Sequence, residues 1–242
     1  MVYNISVVKK GENTERKMAY EKVKFNTRSE WLENRVIGGS GAAAIIGENP
    51  WKTNVDYYQE MIKPTAKPPS NEKDDPSSVY WFGTHAEKPL RDIFALAHYD
   101  EYEVIPPPSV ETDGYIEMYV DTDYPFMTAT PDGFVIDKAT GQKGIYEGKT
   151  ATAYSMAAQR AWYGAIPNVY LYQCLHYLMV LDDCDFVILQ ALIRTNDDKW
   201  ELRVYTLKRK EWQSEIDKLR QAEIEFWGYV VNKTEPPLLI NI

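Results

Sequence analysis

The feature that most constrains the fold is a pair of strand-like segments that bring an aspartate close to a Glu-Gly-Lys triplet. Asp132 opens the first segment, and across a polar turn the second segment, residues 144–149, contains Glu147 and Lys149. Adjacent antiparallel strands bring side chains from distant positions into contact, so Asp132 and Glu147 are expected to meet. Strand alternation places Glu147 and Lys149 on one face and Gly148 on the other.

Two carboxylates followed by a lysine suit a divalent metal site for phosphodiester cleavage. Asp132 and Glu147 supply the hard oxygen ligands that Mg²⁺ prefers, and Lys149 places a positive charge near an attacking water. A glutamate two residues before a lysine is also typical of an exposed ion pair on a strand. The triplet alone therefore leaves both interpretations open.

Another acidic residue belongs to an amphipathic segment. Apolar residues at helical spacing predict a helix over about 84–98, with Glu87 near its start. Thr84 and Glu87 fit the spacing of a capping box, although Pro89 would remove a backbone donor early in such a helix. The alternative is that Glu87 points toward the metal site.

An aromatic-rich segment, predicted to be helical over about 153–181 with an interruption near Gly164, carries a further polar set. Gln173 and His176 share one helical face, where an amide and an imidazole can contact substrate phosphates. His176 fits equally a buried histidine that is bonded to the backbone.

Toward the beginning of the chain, a glycine-rich turn at residues 38–41 leads into a helix of small residues predicted over 40–47. Arg35 precedes the turn and Ser40 lies within it. A guanidinium, a hydroxyl and backbone N–H groups at a helix N-terminus favour an anion. The turn matches neither a Walker A loop nor the dinucleotide fingerprint, and a tight turn for close helix packing is the structural alternative.

In this order, the pieces resemble the YqaJ-type viral recombinases, which belong with phage lambda exonuclease in the PD-(D/E)xK nuclease superfamily. The resemblance extends over about residues 28–205. It implies a mixed α/β, restriction-endonuclease-like core, with a central mixed sheet flanked by helices.

The resemblance also implies roles for the acidic residues and the lysine. Asp132 and Glu147 are expected to bind the metal, together with the backbone carbonyl of Gly148. Glu87 is expected to complete the acidic cluster as a further ligand. Lys149 is expected to serve the nucleophilic water.

The remaining motif residues are expected to handle the substrate. Gln173 corresponds to a glutamine that orients water or substrate, and Tyr170 and His176 are expected beside it on the substrate side. Arg35 and Ser40 correspond to residues associated with the terminal phosphate of a DNA end. The separation between these two is shorter than is usual in the family, so Arg28 is an alternative to Arg35.

The resemblance implies a Mg²⁺-dependent deoxyribonuclease, with Mn²⁺ as a possible substitute, that degrades one strand of linear double-stranded DNA from its end in the 5′→3′ direction. It also implies a role beside a single-strand annealing protein in phage recombination, and trimeric rings are known in the family. An endonuclease of the same superfamily, a non-catalytic module that binds DNA ends or partners, and a metal phosphohydrolase acting on nucleotides remain alternatives. A RecB-like exonuclease that contains an iron–sulfur cluster is disfavoured, because two cysteines are too few for four thiolate ligands.

Length and composition suit one nuclease domain. The 242 residues are 44% hydrophobic, enough for a sizeable core, and we expect a single domain over 1–242 with its core at about 28–207. Helices are predicted at 28–35, 40–47, 53–62, 84–98, 153–181 and 209–231, and strands at 115–121, 125–130, 133–137, 144–149, 186–194 and 201–207. Residues 63–79 are predicted to be a mobile surface loop.

Location follows from what the sequence lacks. No apolar stretch approaches the roughly 20 residues that span a bilayer, and residues 1–10 lack the apolar region of a signal peptide. Cys174 and Cys184 form no disulfide framework. A reducing cytoplasm, that of the host cell if the chain is phage-encoded, is the expected setting.

The net charge of −9 argues against DNA as a substrate, because phosphate contacts normally need lysine and arginine. A metal site is itself acidic, however, and its cations offset that charge locally. Lys22, Lys24, Arg28 and Arg35 are predicted to form a basic patch, whereas residues 208–210 are interpreted as a solvated face.

Overall fold

A computed structural model describes residues 18–63, 75–196 and 199–239. The helices are α1 (Arg28–Asn34), α2 (Gly39–Ile45), α3 (Asn54–Ile62), α4 (Val79–Ala97), α5 (Val110–Asp113), α6 (Met156–Arg160), α7 (Asn168–Val180) and α8 (Arg209–Asn232). The strands are β1 (Tyr20–Phe25), β2 (Ile37–Gly38), β3 (Tyr102–Ile105), β4 (Ile116–Asp121), β5 (Met127–Ala129), β6 (Gly133–Asp137), β7 (Lys143–Ala153), β8 (Phe186–Thr195) and β9 (Trp200–Lys208).

The strands form two mixed sheets flanked by helices. One has the order β1-β4-β5-β2 and the other the order β3-β6-β7-β8-β9. Parallel pairing occurs between β2 and β5 and between β7 and β8. The long β7–β8 crossover contains α6 and α7, as a parallel pair requires. The predicted mixed α/β class is confirmed, with the strands divided between two sheets.

Helix α7 lies at the centre of the core, between the two sheets and against α2 and α8. Residues 173–180 are buried without interruption, although this stretch includes a glutamine and a histidine. A helix that is buried on every side must satisfy its polar side chains internally. The positions of Gln173 and His176 therefore depend on the partners that the sheets and α8 provide.

The start of helix α4 differs from the prediction. Ser78 is the N-cap residue, and its hydroxyl accepts from the backbone N–H of Tyr80. Thr84 and Glu87 consequently lie inside the helix, and the capping-box interpretation of this pair is wrong. Pro89 also lies inside α4.

Three strands were missed in the sequence, β1, β2 and β3. Each is short or lies at a sheet edge, so its apolar pattern is brief. Most of the predicted loop at 63–79 lies outside the described residues. Residues 1–17 also lie outside them, and they include residues 1–10, which were predicted not to form a signal peptide. In the ranges that the structure describes, no helix combines the length and the apolar character needed to cross a bilayer.

Candidate active site

The β6–β7 hairpin assembles the acidic pair. Gly133 pairs with Tyr146 in the antiparallel register, which places Asp132 beside the next residues of β7. The backbone N–H of Gly148 donates to Oδ2 of Asp132 at 2.9 Å. A Cβ at position 133 would lie 2.9 Å from the carbonyl oxygen of Ile105, so glycine is required where the chain enters this strand.

Glu147 and Lys149 lie on one face of β7, as strand alternation predicted. Nζ of Lys149 lies 2.5 Å from Oε1 of Glu147, and Nε2 of Gln173 donates to the same oxygen at 2.6 Å. Glu147 is only 1% exposed, and its Oε2 has no hydrogen-bond partner among the residues that the structure describes. A buried carboxylate oxygen without a partner is costly, and a bound cation would satisfy it.

Burial and mutual repulsion set the protonation of this pair. Burial, aided by the negative charge of Asp132, raises the pKa of Glu147 to about 8. Burial also raises the pKa of Asp132, against the opposing effects of Lys149, the Gly148 N–H and Arg91. Burial acts to lower the pKa of Lys149, but the charges of Glu147 and Asp132 outweigh it and raise that pKa. Lys149 therefore keeps its proton. Its single positive charge does not fully offset the cost of burying the two carboxylates in their charged form.

Helix α4 contributes two charged residues one turn apart. Nη1 of Arg91 donates to the carbonyl oxygen of Asp132 at 2.8 Å and fixes the chain there. Glu87 lies at the solvent-exposed mouth of the cluster, where partial burial and the charge of Asp132 raise its pKa to about 7. Arg91 was missed in the sequence, although its i+4 spacing from Glu87 places both on one helical face.

Helix α7 supplies Gln173 and a residue that the sequence prediction left without a role, Tyr177. Nε2 of Gln173 also donates to the Tyr177 hydroxyl at 3.0 Å, and that hydroxyl donates to the Thr130 carbonyl at 3.2 Å. A Cβ at Gly39 would lie 2.9 Å from both Gln173 and Tyr177. The absence of a side chain at Gly39 therefore lets α2 pack closely against this pair. The i+4 spacing of Gln173 and Tyr177 was the available signal.

Tyr170 lies half-buried at the side of the site. Its ring stacks on Trp162 with centroids 5.3 Å apart. Burial raises the pKa of the Tyr170 hydroxyl, while the nearby charge of Lys149 opposes the shift. Tyr170 therefore lies within the electrostatic range of Lys149, and its predicted contact with substrate stays a prediction.

His176 does not reach the site. It is fully buried, with Nδ1 2.7 Å from Oε1 of Glu223 and Nε2 2.9 Å from the carbonyl oxygen of Thr128. Both ring nitrogens are occupied by internal partners, so the predicted substrate contact of His176 is wrong. Because a carbonyl oxygen only accepts, Nε2 carries a hydrogen, and the imidazole links α8 to the strand that leads toward Asp132.

The glycine-rich turn lies close to the same segment. Nη2 of Arg35 donates to Oγ of Ser40 at 2.9 Å, and its guanidinium lies 5.2 Å from the Trp31 ring. Nε1 of Trp31 donates to Oγ1 of Thr130 at 3.2 Å, which ties the turn to the chain just before Asp132. Because α2 has only seven residues, any anion affinity here depends chiefly on the Arg35–Ser40 pair.

The alternative arginine, Arg28, lies near the same indole. Its guanidinium is 5.7 Å from the Trp31 ring, and its charge acts on Glu87. Of the predicted basic patch, Lys22 pairs with Glu117 at 3.2 Å, whereas Arg28 and Arg35 both lie near the Trp31 ring.

The donor set fits Mg²⁺. Among the residues that the structure describes, no three His, Cys, Asp or Glu side chains converge closely enough to hold an ion by themselves. Mg²⁺ usually takes one or two carboxylates and keeps several waters. Asp132 and the open Oε2 of Glu147 match that preference. The metal-ligand roles of these two residues, of Glu87 and of the Gly148 carbonyl stay predictions.

Comparisons with known structures place the fold among exonucleases. An alkaline exonuclease from Laribacter hongkongensis matches 84% of this chain and 95% of its own, with a TM-score of 0.54 and 13% identity. A phage-related exonuclease from Haemophilus somnus matches 85% of this chain and 99% of its own, with a TM-score of 0.51 and 12% identity. At these identities the likeness concerns the fold alone.

Sequence comparison is more specific. An uncharacterized protein from Bacillus subtilis (strain 168), YqaJ, is 32% identical over 218 residues, which is 88% of this chain. The chain spans 59% of the length of that relative. Residues 30–184 match the family model of the YqaJ-like viral recombinase domain. This segment is more than half of the chain and contains the candidate residues Asp132, Glu147 and Lys149. The chain therefore belongs to the YqaJ-like viral recombinase family.

Proposed function

We propose that this protein is a Mg²⁺-dependent deoxyribonuclease that degrades one strand of linear double-stranded DNA from its end, with Mn²⁺ as a possible substitute. The observation that carries the proposal is the buried Glu147 carboxylate. One of its oxygens is held by Lys149 and Gln173, and the other has no partner within the described part of the chain. The buried Glu223 carboxylate also has an unpartnered oxygen among the described residues, but only Glu147 lies beside a second acidic group, Asp132, whose negative charge acts on it. A cation bound at this pair would compensate both carboxylates.

In this proposal each residue of the site has a separate role. Asp132 and Glu147 would hold the metal, which when bound would supply Lewis-acid stabilisation of the developing negative charge. Lys149 keeps its proton because the carboxylates raise its pKa, so it acts as a fixed cation that orients the water and the phosphate. Gln173 holds the Glu147 carboxylate in one orientation, and Arg91 fixes the backbone at Asp132.

We assign 5′→3′ polarity and a role in recombination to the same chain. The hydrogen-bonded Arg35–Ser40 pair is suited to a terminal 5′ phosphate, since guanidinium and hydroxyl donors both recognise phosphate oxygens. Membership of a viral recombinase family and the fold of named exonucleases support this use. A single-strand annealing protein is the proposed partner, and a ring of three copies is the proposed assembly.

The test is digestion of one linear duplex, labelled separately at each 5′ and 3′ end, beside the same DNA as a covalently closed circle. Reactions contain Mg²⁺, Mn²⁺ or EDTA. The variants are Lys149→Ala and, as a matched control, Lys138→Ala, which changes a lysine of an exposed turn. The expected result is early, Mg²⁺-dependent loss of the 5′ labels, intact circles, and inactivity of Lys149→Ala alone.

Other results decide between the alternatives. Cut circles would identify an endonuclease, because an end-dependent enzyme has no point of entry there. Early loss of the 3′ labels would reverse the polarity. Binding of DNA ends without cleavage in either metal would identify a non-catalytic module and end the proposal.

A further inference from the structure

The catalytic face of β7 continues sideways onto β9. In the register of the second sheet, Lys149 pairs with Ala191 and Ala191 pairs with Arg203. Residues in one such row project to the same face, and neighbouring strands lie about 4.8 Å apart. Arg203 therefore lies on the face that carries Lys149, with the two backbones about 10 Å apart by the same spacing.

Arg203 anchors a loop that displays an aromatic ring. Its Nη1 donates to the Trp162 carbonyl at 2.7 Å, and the Tyr205 hydroxyl donates to the same oxygen at 2.5 Å. The Arg203 guanidinium lies 5.0 Å from the centroid of the Tyr163 ring and also pairs with Glu201 at 2.5 Å. Tyr163 nevertheless remains 78% exposed, so its ring is supported on one side and open to solvent.

The space between this ring and the active site is filled by aromatic groups. Trp162 stacks on Tyr170, and the charge of Lys149 acts on the pKa of the Tyr170 hydroxyl. Arg160, in the last turn of α6, is exposed on the same loop. The exposed Tyr163 ring, the Arg203 guanidinium beside it and the exposed Arg160 together suit a ligand with unpaired bases and phosphates.

We propose that Tyr163, supported by Arg203, is a stacking platform for the bases of single-stranded DNA. The inference rests on the proposed function, because an enzyme that removes one strand leaves the complementary strand unpaired beside the active site. Every unpaired base offers a π-face to an exposed ring, whereas the bases of an intact duplex are already stacked. The platform therefore favours the single strand over duplex DNA, independent of sequence.

The experiment measures binding without cleavage. Fluorescence anisotropy in EDTA follows a labelled oligothymidylate and a labelled hairpin duplex, with wild type, Tyr163→Ala and Tyr163→Phe. Tyr99→Ala is the matched control, since Tyr99 is similarly exposed, at 69%, but lies just beyond α4. We expect Tyr163→Ala to weaken oligothymidylate binding roughly tenfold, since one stacked base is lost, with Tyr163→Phe and Tyr99→Ala close to wild type.

The proposal is overturned if Tyr163→Ala and wild type bind the oligothymidylate with equal affinity. It is also overturned if Tyr163→Ala loses affinity for the oligothymidylate and for the duplex to the same extent. A change in molar mass of Tyr163→Ala by light scattering would also overturn it, because the ring would then belong to a contact between copies. The separate digestion assay keeps the two proposals distinguishable. Cleavage with an unaffected Tyr163→Ala affinity refutes the platform alone, and single-strand binding through Tyr163 without any cleavage refutes the nuclease alone.

Discussion

The side-chain amide of Gln173 donates to Oε1 of Glu147 at 2.6 Å, across the interface between helix α7 and strand β7. The bond holds one carboxylate oxygen and leaves the other open, because Lys149 contacts the same Oε1. The orientation of the acidic group is thus determined by a helix that supplies no charge of its own to the site.

Replacing Glu147 with glutamine should separate activity from stability. We expect Glu147→Gln to lose cleavage by at least about a hundredfold, since a metal-binding oxygen becomes an amide. The metal-free melting temperature should stay level or rise, because burial already disfavours the charged carboxylate. Nuclease rates and thermal melts in EDTA measure both, with the exposed Glu103→Gln as control. A marked fall in the melting temperature would contradict this account.

The metal-free protein should lose stability as pH rises from about 5 to 8. The pKa of Glu147 is raised from its ordinary 4.5 to about 8 in the folded chain. Folding is therefore favoured most at low pH, where both states are protonated, and the advantage is lost as pH rises through the folded pKa. Melting temperature in EDTA should fall by on the order of 5 °C over this range, and Glu147→Gln should flatten the slope.

Mg²⁺ should reverse the pH dependence of the melting temperature. Because the metal binds deprotonated carboxylates, its stabilising effect should be larger at pH 8 than at pH 6. Melts at fixed Mg²⁺ concentration across this range provide the measurement. An increase in melting temperature that is the same at both pH values, or that persists in Glu147→Gln, would argue against metal binding at this carboxylate.

The His176–Glu223 pair should act on stability. Glu223→Ala leaves a buried imidazole without its partner, which should lower the free energy of unfolding by about 3 kcal/mol. Urea denaturation in EDTA measures this, with Glu225→Ala, an exposed position on the same helix, as the control. Equal stability of the two variants would show that the link from α8 to Thr128 contributes little.

The Arg35–Ser40 pair should confer a preference for phosphorylated ends. Wild type should degrade a 5′-phosphorylated duplex roughly tenfold faster than the same duplex with a 5′ hydroxyl, since a charge-assisted phosphate contact is lost. Arg35→Ala should abolish that ratio. Initial rates on the two substrates provide the measurement, and Arg28→Ala is the control. A ratio that depends on Arg28 and not on Arg35 would transfer the role to the alternative arginine.

Local chemistry made part of this site predictable. The β6–β7 hairpin follows from two strand-like runs around a polar turn, and the shared face of Glu147 and Lys149 follows from the two-residue period of a strand. The helices at 28–34 and 54–62 likewise match their predicted ranges closely. The start of α4 was predicted wrongly, because the capping signal at Thr84 competes with a better one at Ser78.

The sequence alone determined which acidic groups and which lysine could meet, because strand period and turn position depend on residues close together in the chain. Only the tertiary structure decided the role of His176, whose partners are Thr128 and Glu223, 48 and 47 residues away. It also decided the contact between Trp31 and Thr130, 99 residues apart. Such contacts depend on how sheets and helices pack, and the burial that removes water from Glu147, and so raises its pKa, exists only once they have packed.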